Sequence, residues 1–116
     1  MTLPLSPDIL RAAYDYLSTT SPFTRWNLPD SDDVKFIVMR DRNLCGWHEI
    51  DRKKHTIAIS SHFVGRSLSL IETMAHEMIH VHQVNSGMST GGEHNRAFKK
   101  LAARVCKIHG FDVKVF

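Results

Sequence analysis

Two histidines that stand four residues apart, His76 and His80, constrain this chain of 116 residues more than any other feature. They belong to the segment Ala75-His76-Glu77-Met78-Ile79-His80. On an α-helix, residues four apart differ by about 40° in direction and lie one turn apart, so both imidazoles face the same side. Glu77 lies beside this line rather than on it. A helix here therefore brings two metal-ligand side chains and one carboxylate to the same place.

The sequence predicts three helices with recognisable ends, and one of them carries this segment. Ser69 and Glu72 have the spacing of a capping box, and the helix is predicted to run to about Val84, where Asn85-Ser86-Gly87 ends it. A first helix is predicted over about Pro7–Ser18, with Ser6 as its N-cap. A last helix is predicted to begin at a second capping box, Thr90 and Glu93, and to end near His109 before Gly110.

Three segments between the first two helices are rich in strand-forming residues: 34–40, 44–50 and 55–60. The polar turn 51–54 separates the last two, so the sequence predicts a small antiparallel three-stranded sheet. His48 and His55 are expected to face solvent. The segment Thr56–Ser60 is expected to offer an edge to an extended peptide. With the N-terminal helix, the active-site helix and the C-terminal helix packed on this sheet, the expected class is α+β.

Length and composition fit one globular domain over residues 1–116, with 42% hydrophobic and 23% charged residues. No CxxC pair is present for a C-terminal zinc ribbon, no apolar run reaches the length of a membrane span, and no signal peptide is visible at the N-terminus. Cys45 and Cys106 are interpreted as free thiols in a reducing compartment. The expected location is therefore cytoplasmic, without membrane association.

Eight histidines in 116 residues direct attention to metal binding. Catalytic zinc usually takes three protein ligands and leaves one place for water, so His76 and His80 need a third partner. Gln83 and Ser86 occupy the positions where metzincins have glycine and histidine, which excludes that class. Glu93 and His94 remain as candidates. His94 is favoured, because on a continuous last helix it would share the buried stripe formed by Phe98, Leu101, Val105 and Ile108. Manganese, cobalt and nickel fit similar imidazole sites, but zinc is preferred on ligand type and availability.

The segment Glu72–His80, followed after a polar glycine-containing loop by His94–Phe98, resembles the SprT-like (Spartan-type) zinc metalloprotease domain. The segments 44–46 and 56–60 resemble the strand pattern that precedes the active helix of that family. The resemblance implies a zincin-like fold, one zinc ion on His76, His80 and His94, and Glu77 as catalytic base. It also implies proteolysis, which in the best-known members acts on proteins bound or crosslinked to DNA.

The expected activity is that of a zinc-dependent endopeptidase that cleaves peptide bonds through a metal-activated water. Two alternatives remain open: a non-catalytic zinc-binding module for protein or DNA interaction, and a zinc hydrolase of a non-peptide substrate. The residue that stabilises the oxyanion is also open, with His62, Arg66, His82 and His109 as candidates.

The predicted last helix carries five cations and no acidic residue after Glu93: Arg96, Lys99, Lys100, Arg104 and Lys107. These residues lie opposite the apolar stripe. The pattern is compatible with DNA binding through phosphate contacts. An ordinary solvated helix face is the alternative, since cations near a helix C-terminus are favourable in themselves.

Overall fold

The computed structural model describes residues 5–61, 67–88, 94–114 and 116, without the side chains of residues 67–69. Three helices and three strands follow one another along these residues: α1 (Pro7–Ser18), β1 (Val34–Met39), β2 (Gly46–Asp51), β3 (Lys54–Ser60), α2 (Ser67–Asn85) and α3 (Arg96–His109). The predicted α+β class is thus confirmed.

The first helix has the predicted bounds for the predicted reason. The hydroxyl of Ser6 accepts a hydrogen bond from the Ile9 amide at 3.2 Å, and Pro7 occupies the first turn, where its missing N–H has no cost. One face of α1 is buried in the core, through Leu10, Ala13, Tyr14 and Leu17. Amphipathic periodicity was sufficient to locate this element.

The sheet is mixed, with the strand order β1-β3-β2. β2 and β3 pair antiparallel as expected, whereas β1 pairs with β3 in parallel. The parallel pair arises because residues 40–45 carry the chain past β3, so that β2 joins the far side of the sheet. Ser60 holds this crossover: its hydroxyl donates to the Asp41 carbonyl at 2.7 Å and accepts from the Asp41 amide at 3.1 Å.

The central position of β3 overturns one expectation. Residues 56–60 pair with a strand on each side, so the predicted open edge at this segment is wrong. The open edge beside α2 belongs to β2, which pairs with β3 alone in the part of the chain that the structure describes.

α2 lies at the centre of the molecule and packs against α1, α3, β2 and β3. Its buried face meets Ile57 and Ile59 of the sheet through Met74, Met78 and Ile79 in one hydrophobic core. The helix begins at Ser67, so the predicted start at Ser69 lies two residues inside it.

α3 begins later than predicted. Its N-cap is Asn95, whose side chain accepts from the Phe98 amide at 2.9 Å, and the predicted capping residues Thr90 and Glu93 lie outside the described residues. Gly110, with φ of 78°, ends the helix in the left-handed region that glycine adopts without strain. Among the described residues, no helix combines the length and the apolar character that a membrane crossing requires.

Candidate metal centre and cleft

His76, His80 and His94 come together at one point. One ring nitrogen from each lies within 4.8 Å of the other two, and each pair of ring centroids is separated by 5.1 Å. The Nε2 atoms of His76 and His94 are 3.2 Å apart. Two imidazoles on a tetrahedral zinc ion, each with a Zn–N distance of about 2.0–2.1 Å, place their nitrogens at about that separation. The donor set and its spacing therefore fit zinc.

The third histidine reaches this point by a route that helix periodicity did not predict. His94 lies in the turn before Asn95, outside α3, and is exposed. It does not head the buried stripe of the last helix. Its direction is instead set by the start of α3, whose cap immediately follows it. The other candidate ligand, Glu93, lies outside the described residues.

Phe98 forms the floor of the histidine cluster. Its ring centroid lies 4.9 Å from that of His76, 4.7 Å from that of His80 and 4.6 Å from that of His94. Phe98 is only 5% exposed and belongs to the hydrophobic core. All three imidazoles therefore pack against one residue of the hydrophobic core.

His76 is also held from the opposite side. Its Nδ1 donates a hydrogen bond to the main-chain oxygen of Phe116 at 2.8 Å, and its Nε2, which carries the lone pair in the neutral ring, lies 3.2 Å from His94 Nε2. A hydrogen bond at the second ring nitrogen fixes the tautomer and orientation of a metal-binding histidine.

Glu77 lies at the wall of a cleft beside the cluster. It is 4% exposed, and the cleft has a volume of about 480 Å³. One side of the cleft is formed by α2 and His94. The other side is formed by residues 46–50 of β2 and by Leu44, which precedes the strand. The cleft thus runs between the carboxylate and the open edge of the sheet.

The close approach of β2 to α2 and β3 depends on Gly46. A Cβ atom at this position would lie 2.7 Å from the Ala58 carbonyl oxygen and 3.2 Å from Thr73 Cγ2. Only glycine allows the backbone to pass so near, and this contact places the start of β2 against the helix that carries Glu77.

A chain of hydrogen bonds runs from Asn85 through His55 to His48 in the wall of the cleft. His55 is 2% exposed, and its Nε2–H donates to Asn85 Oδ1 at 2.9 Å. Its Nδ1 then accepts from His48 Nε2–H at 2.7 Å, and His48 lines the cleft beside His80 at a ring distance of 6.4 Å. Because an amide oxygen can only accept, this order leaves the Nδ1 of a neutral His48 as an acceptor. The expectation of solvent exposure is wrong for the buried His55, whereas His48 is half-buried at the cleft.

The alternation of side chains along a strand could have predicted which face of the sheet carries these two histidines. His55 is in phase with Ile57 and Ile59, which face α2, and His48 is paired with Ile57 in the register. Residues two apart in a strand share a face, so both histidines share the buried face. The Phe116 contact, by contrast, has no counterpart in local sequence.

The other residues considered for oxyanion stabilisation do not enter the cleft. His82 stacks on Trp26 at a ring distance of 4.2 Å, and His109 Nε2 lies 2.9 Å from the Ser21 carbonyl oxygen. His62 and Arg66 lie outside the described residues.

Both cleft histidines for which a shift is resolved are held in the neutral form. Burial lowers the pKa of His80 to about 3, with further lowering by the neighbouring histidines. Burial and then His55 lower the pKa of His48 to about 4. Neutral imidazole is the form that binds metals, so His80 is in its binding form at neutral pH.

The five cations of α3 are all exposed: Arg96, Lys99, Lys100, Arg104 and Lys107. None forms an ion pair within the described part of the chain, where the one salt bridge joins Arg11 and Asp32. They therefore form a continuous basic face on α3.

Comparison with known proteins supports one family. No significant match was found among curated proteins. The model of the SprT-like family, in contrast, matches residues 13–116, which include the whole of the cleft and the histidine cluster. The chain is therefore a member of the SprT-like family.

Proposed function

We propose that this protein is a zinc-dependent endopeptidase. The observation that carries the proposal is the convergence of His76, His80 and His94 within 4.8 Å beside the buried carboxylate of Glu77. A purely structural zinc site is normally closed by a fourth protein ligand and needs no adjacent carboxylate. Membership of the SprT-like family supports the same class of activity.

His76, His80 and His94 would hold the ion. In sites of this kind zinc lowers the pKa of water and polarises a carbonyl group. We assign to Glu77 the acceptance of the proton of the attacking water and its return to the leaving amine. Its burial keeps that transfer away from bulk solvent.

The open edge of β2 supports a peptide as substrate. Six residues of this strand region line the cleft, and among the described elements β2 pairs with β3 alone. An extended peptide can add to such an edge through main-chain hydrogen bonds. A compact non-peptide substrate would make no use of this edge.

His48 is the cleft residue best placed to contact that peptide. Its Nε2–H is engaged by His55, so its Nδ1 presents a lone pair. We assign to it the acceptance of a hydrogen bond from a substrate N–H. Stabilisation of an oxyanion would require a donor at this atom, which the hydrogen-bond order does not supply.

The activity can be tested with unfolded casein as substrate. We expect zinc-dependent cleavage that a chelator abolishes, and Glu77→Gln should lower kcat by about 10²–10⁴-fold with an unchanged zinc content. His80→Ala should lose zinc, whereas His82→Gln, on the same helix but outside the cleft, should retain it. Full activity of Glu77→Gln would overturn the proposal.

The same assay separates the two alternatives. A non-catalytic zinc module would bind zinc through the three histidines but cleave nothing. A hydrolase of small esters or amides would act on such compounds and leave casein and extended peptides intact. The free thiols of Cys45 and Cys106 are compatible with the expected cytoplasmic site of action.

A second candidate function is DNA binding through the basic face of α3. The supporting observation is that all five cations are exposed and unpaired with carboxylates in the described residues. Reversing the charge of Lys99, Lys100 and Arg104 should abolish salt-sensitive binding to duplex DNA. Reversal of Arg52, Lys53 and Lys54 in the β2–β3 turn is the matched control. Absence of binding by the native protein would rule out this function.

A further inference from the structure

Gln83 occupies an unusual position between the two segments that carry the histidines. It follows His80 by three residues on α2, so it shares the face that points to the cluster. It is only 1% exposed and lines the cleft. A buried primary amide has two N–H donors and one carbonyl acceptor, and each of them destabilises the fold if it lacks a hydrogen-bond partner.

The nitrogen of this amide connects α2 to the start of α3. Gln83 Nε2 donates to Asn95 Oδ1 at 2.9 Å and to the Met88 carbonyl at 3.1 Å. Asn95 Oδ1 also accepts the Phe98 amide as the N-cap of α3, and its Nδ2 donates to the same Met88 carbonyl at 2.9 Å. Because Asn95 directly follows His94, this network sets the distance from α2 to the third histidine.

The oxygen of the same amide is buried without a hydrogen-bond partner among the described residues. A buried carbonyl without a donor destabilises the folded state, and a donor removes that loss. His80 is the neighbouring group that can supply one. His80 lies three residues before Gln83 on α2, so the two side chains share one face of the helix.

We propose that Gln83 is the positioning residue of the metal centre. Its nitrogen holds His94 at the correct distance through Asn95. Its oxygen receives the N–H of His80 once the other ring nitrogen of His80 binds the metal. One side chain thereby couples both ligand-bearing segments, and metal binding satisfies a polar atom that is otherwise buried and unpaired. The inference rests on the proposed metal site, but not on catalysis.

The test replaces Gln83 with methionine, which has a similar length and no polar atoms. Zinc affinity is measured by competition with a chromophoric chelator, the ligand geometry by the absorption spectrum of the cobalt(II) form, and the stability of the metal-free protein by thermal melting. We expect zinc binding to weaken by about 10–100-fold and the cobalt spectrum to change. His82→Met, the matched control, should alter neither.

A second variant keeps the test decisive if Gln83→Met does not fold. Asn95→Ser retains an N-cap for α3, but the shorter side chain cannot reach Gln83, so zinc affinity should fall while the melting temperature of the metal-free protein stays close to the native value. Native zinc affinity and cobalt spectrum in the folded variants would overturn the proposal, even if the melting temperature had dropped. Failure of the native protein to bind zinc would instead refute the metal site itself.

Discussion

The Nδ1 of His76 donates to the main-chain oxygen of Phe116 across 2.8 Å, although the two residues are 40 positions apart in the chain. A variant that lacks residues 115 and 116 loses this acceptor, so we expect zinc affinity to fall by about 10-fold in chelator competition. Phe116→Leu retains the main-chain oxygen and should bind zinc almost as tightly as the native protein. Equal loss in both variants would assign the effect to the ring.

Phe98 should be required for both the core and the metal centre. Phe98→Ala removes the ring on which three imidazoles rest, and we expect a loss of about 3–5 kcal/mol in the free energy of unfolding, measured in urea without metal. Zinc affinity of the folded fraction should fall as well. Phe98→Leu should lose less of each. Native zinc affinity in Phe98→Ala would show that the floor is dispensable.

Two substitutions of His48 distinguish the roles of its two ring nitrogens in substrate binding. In asparagine the amide group occupies the position of Nδ1, and in glutamine that of Nε2. If Nδ1 accepts a substrate N–H, His48→Gln should raise KM by up to about 10-fold with little change in kcat, and His48→Asn should raise it less. Steady-state kinetics on one peptide measures both. A fall in kcat with constant KM would point to a role in the chemical step instead.

The metal-free protein should be sensitive to mild acid. The folded-state pKa values of His80 and His48, about 3 and about 4, lie below the ordinary value of 6.5, so the unfolded state binds more protons in between. The stability from keeping these rings neutral is present above pH 6.5 and is lost as the pH falls toward 4. Melting temperatures between pH 7 and pH 4 should decrease, less steeply in His48→Asn. Parallel curves for both proteins would contradict this origin.

Gly46→Ala should damage the cleft from the sheet side. The added methyl group would meet the Ala58 carbonyl at 2.7 Å, so β2 must move away from β3 and α2. We expect a loss of about 1–3 kcal/mol in unfolding free energy, together with reduced cleavage of peptides. Cys45→Ala, at the exposed neighbouring position, should stay within about 0.5 kcal/mol of the native value.

Local patterns predicted the elements whose causes are local. The N-cap and proline of α1 and the face shared by His76 and His80 follow from spacing along one helix, and the structure has both. The parallel pairing of β1 with β3 does not follow from any local pattern, because it depends on how residues 40–45 cross the sheet. The start of α3 at Arg96 likewise depends on the network of Gln83 and Asn95.

His94 lies beside His76 and His80 as predicted, although the helix periodicity used to predict this does not apply to it. Helix periodicity directed it to the core as part of α3, yet it lies before the helix and is exposed. The structure nevertheless brings it to His76 and His80, because Phe98 and Asn95 anchor the segment around it. The contacts of His55 and Phe116 involve partners 30 and 40 residues distant, which spacing alone could not identify.

The single aromatic floor beneath the three imidazoles joins the histidine cluster to the hydrophobic core. Phe98 is only 5% exposed and contacts all three rings, so a change in the core that moved this side chain would also move the histidine cluster. We therefore expect substitutions far from the cleft to disturb the geometry of the three imidazoles through the interior of the protein.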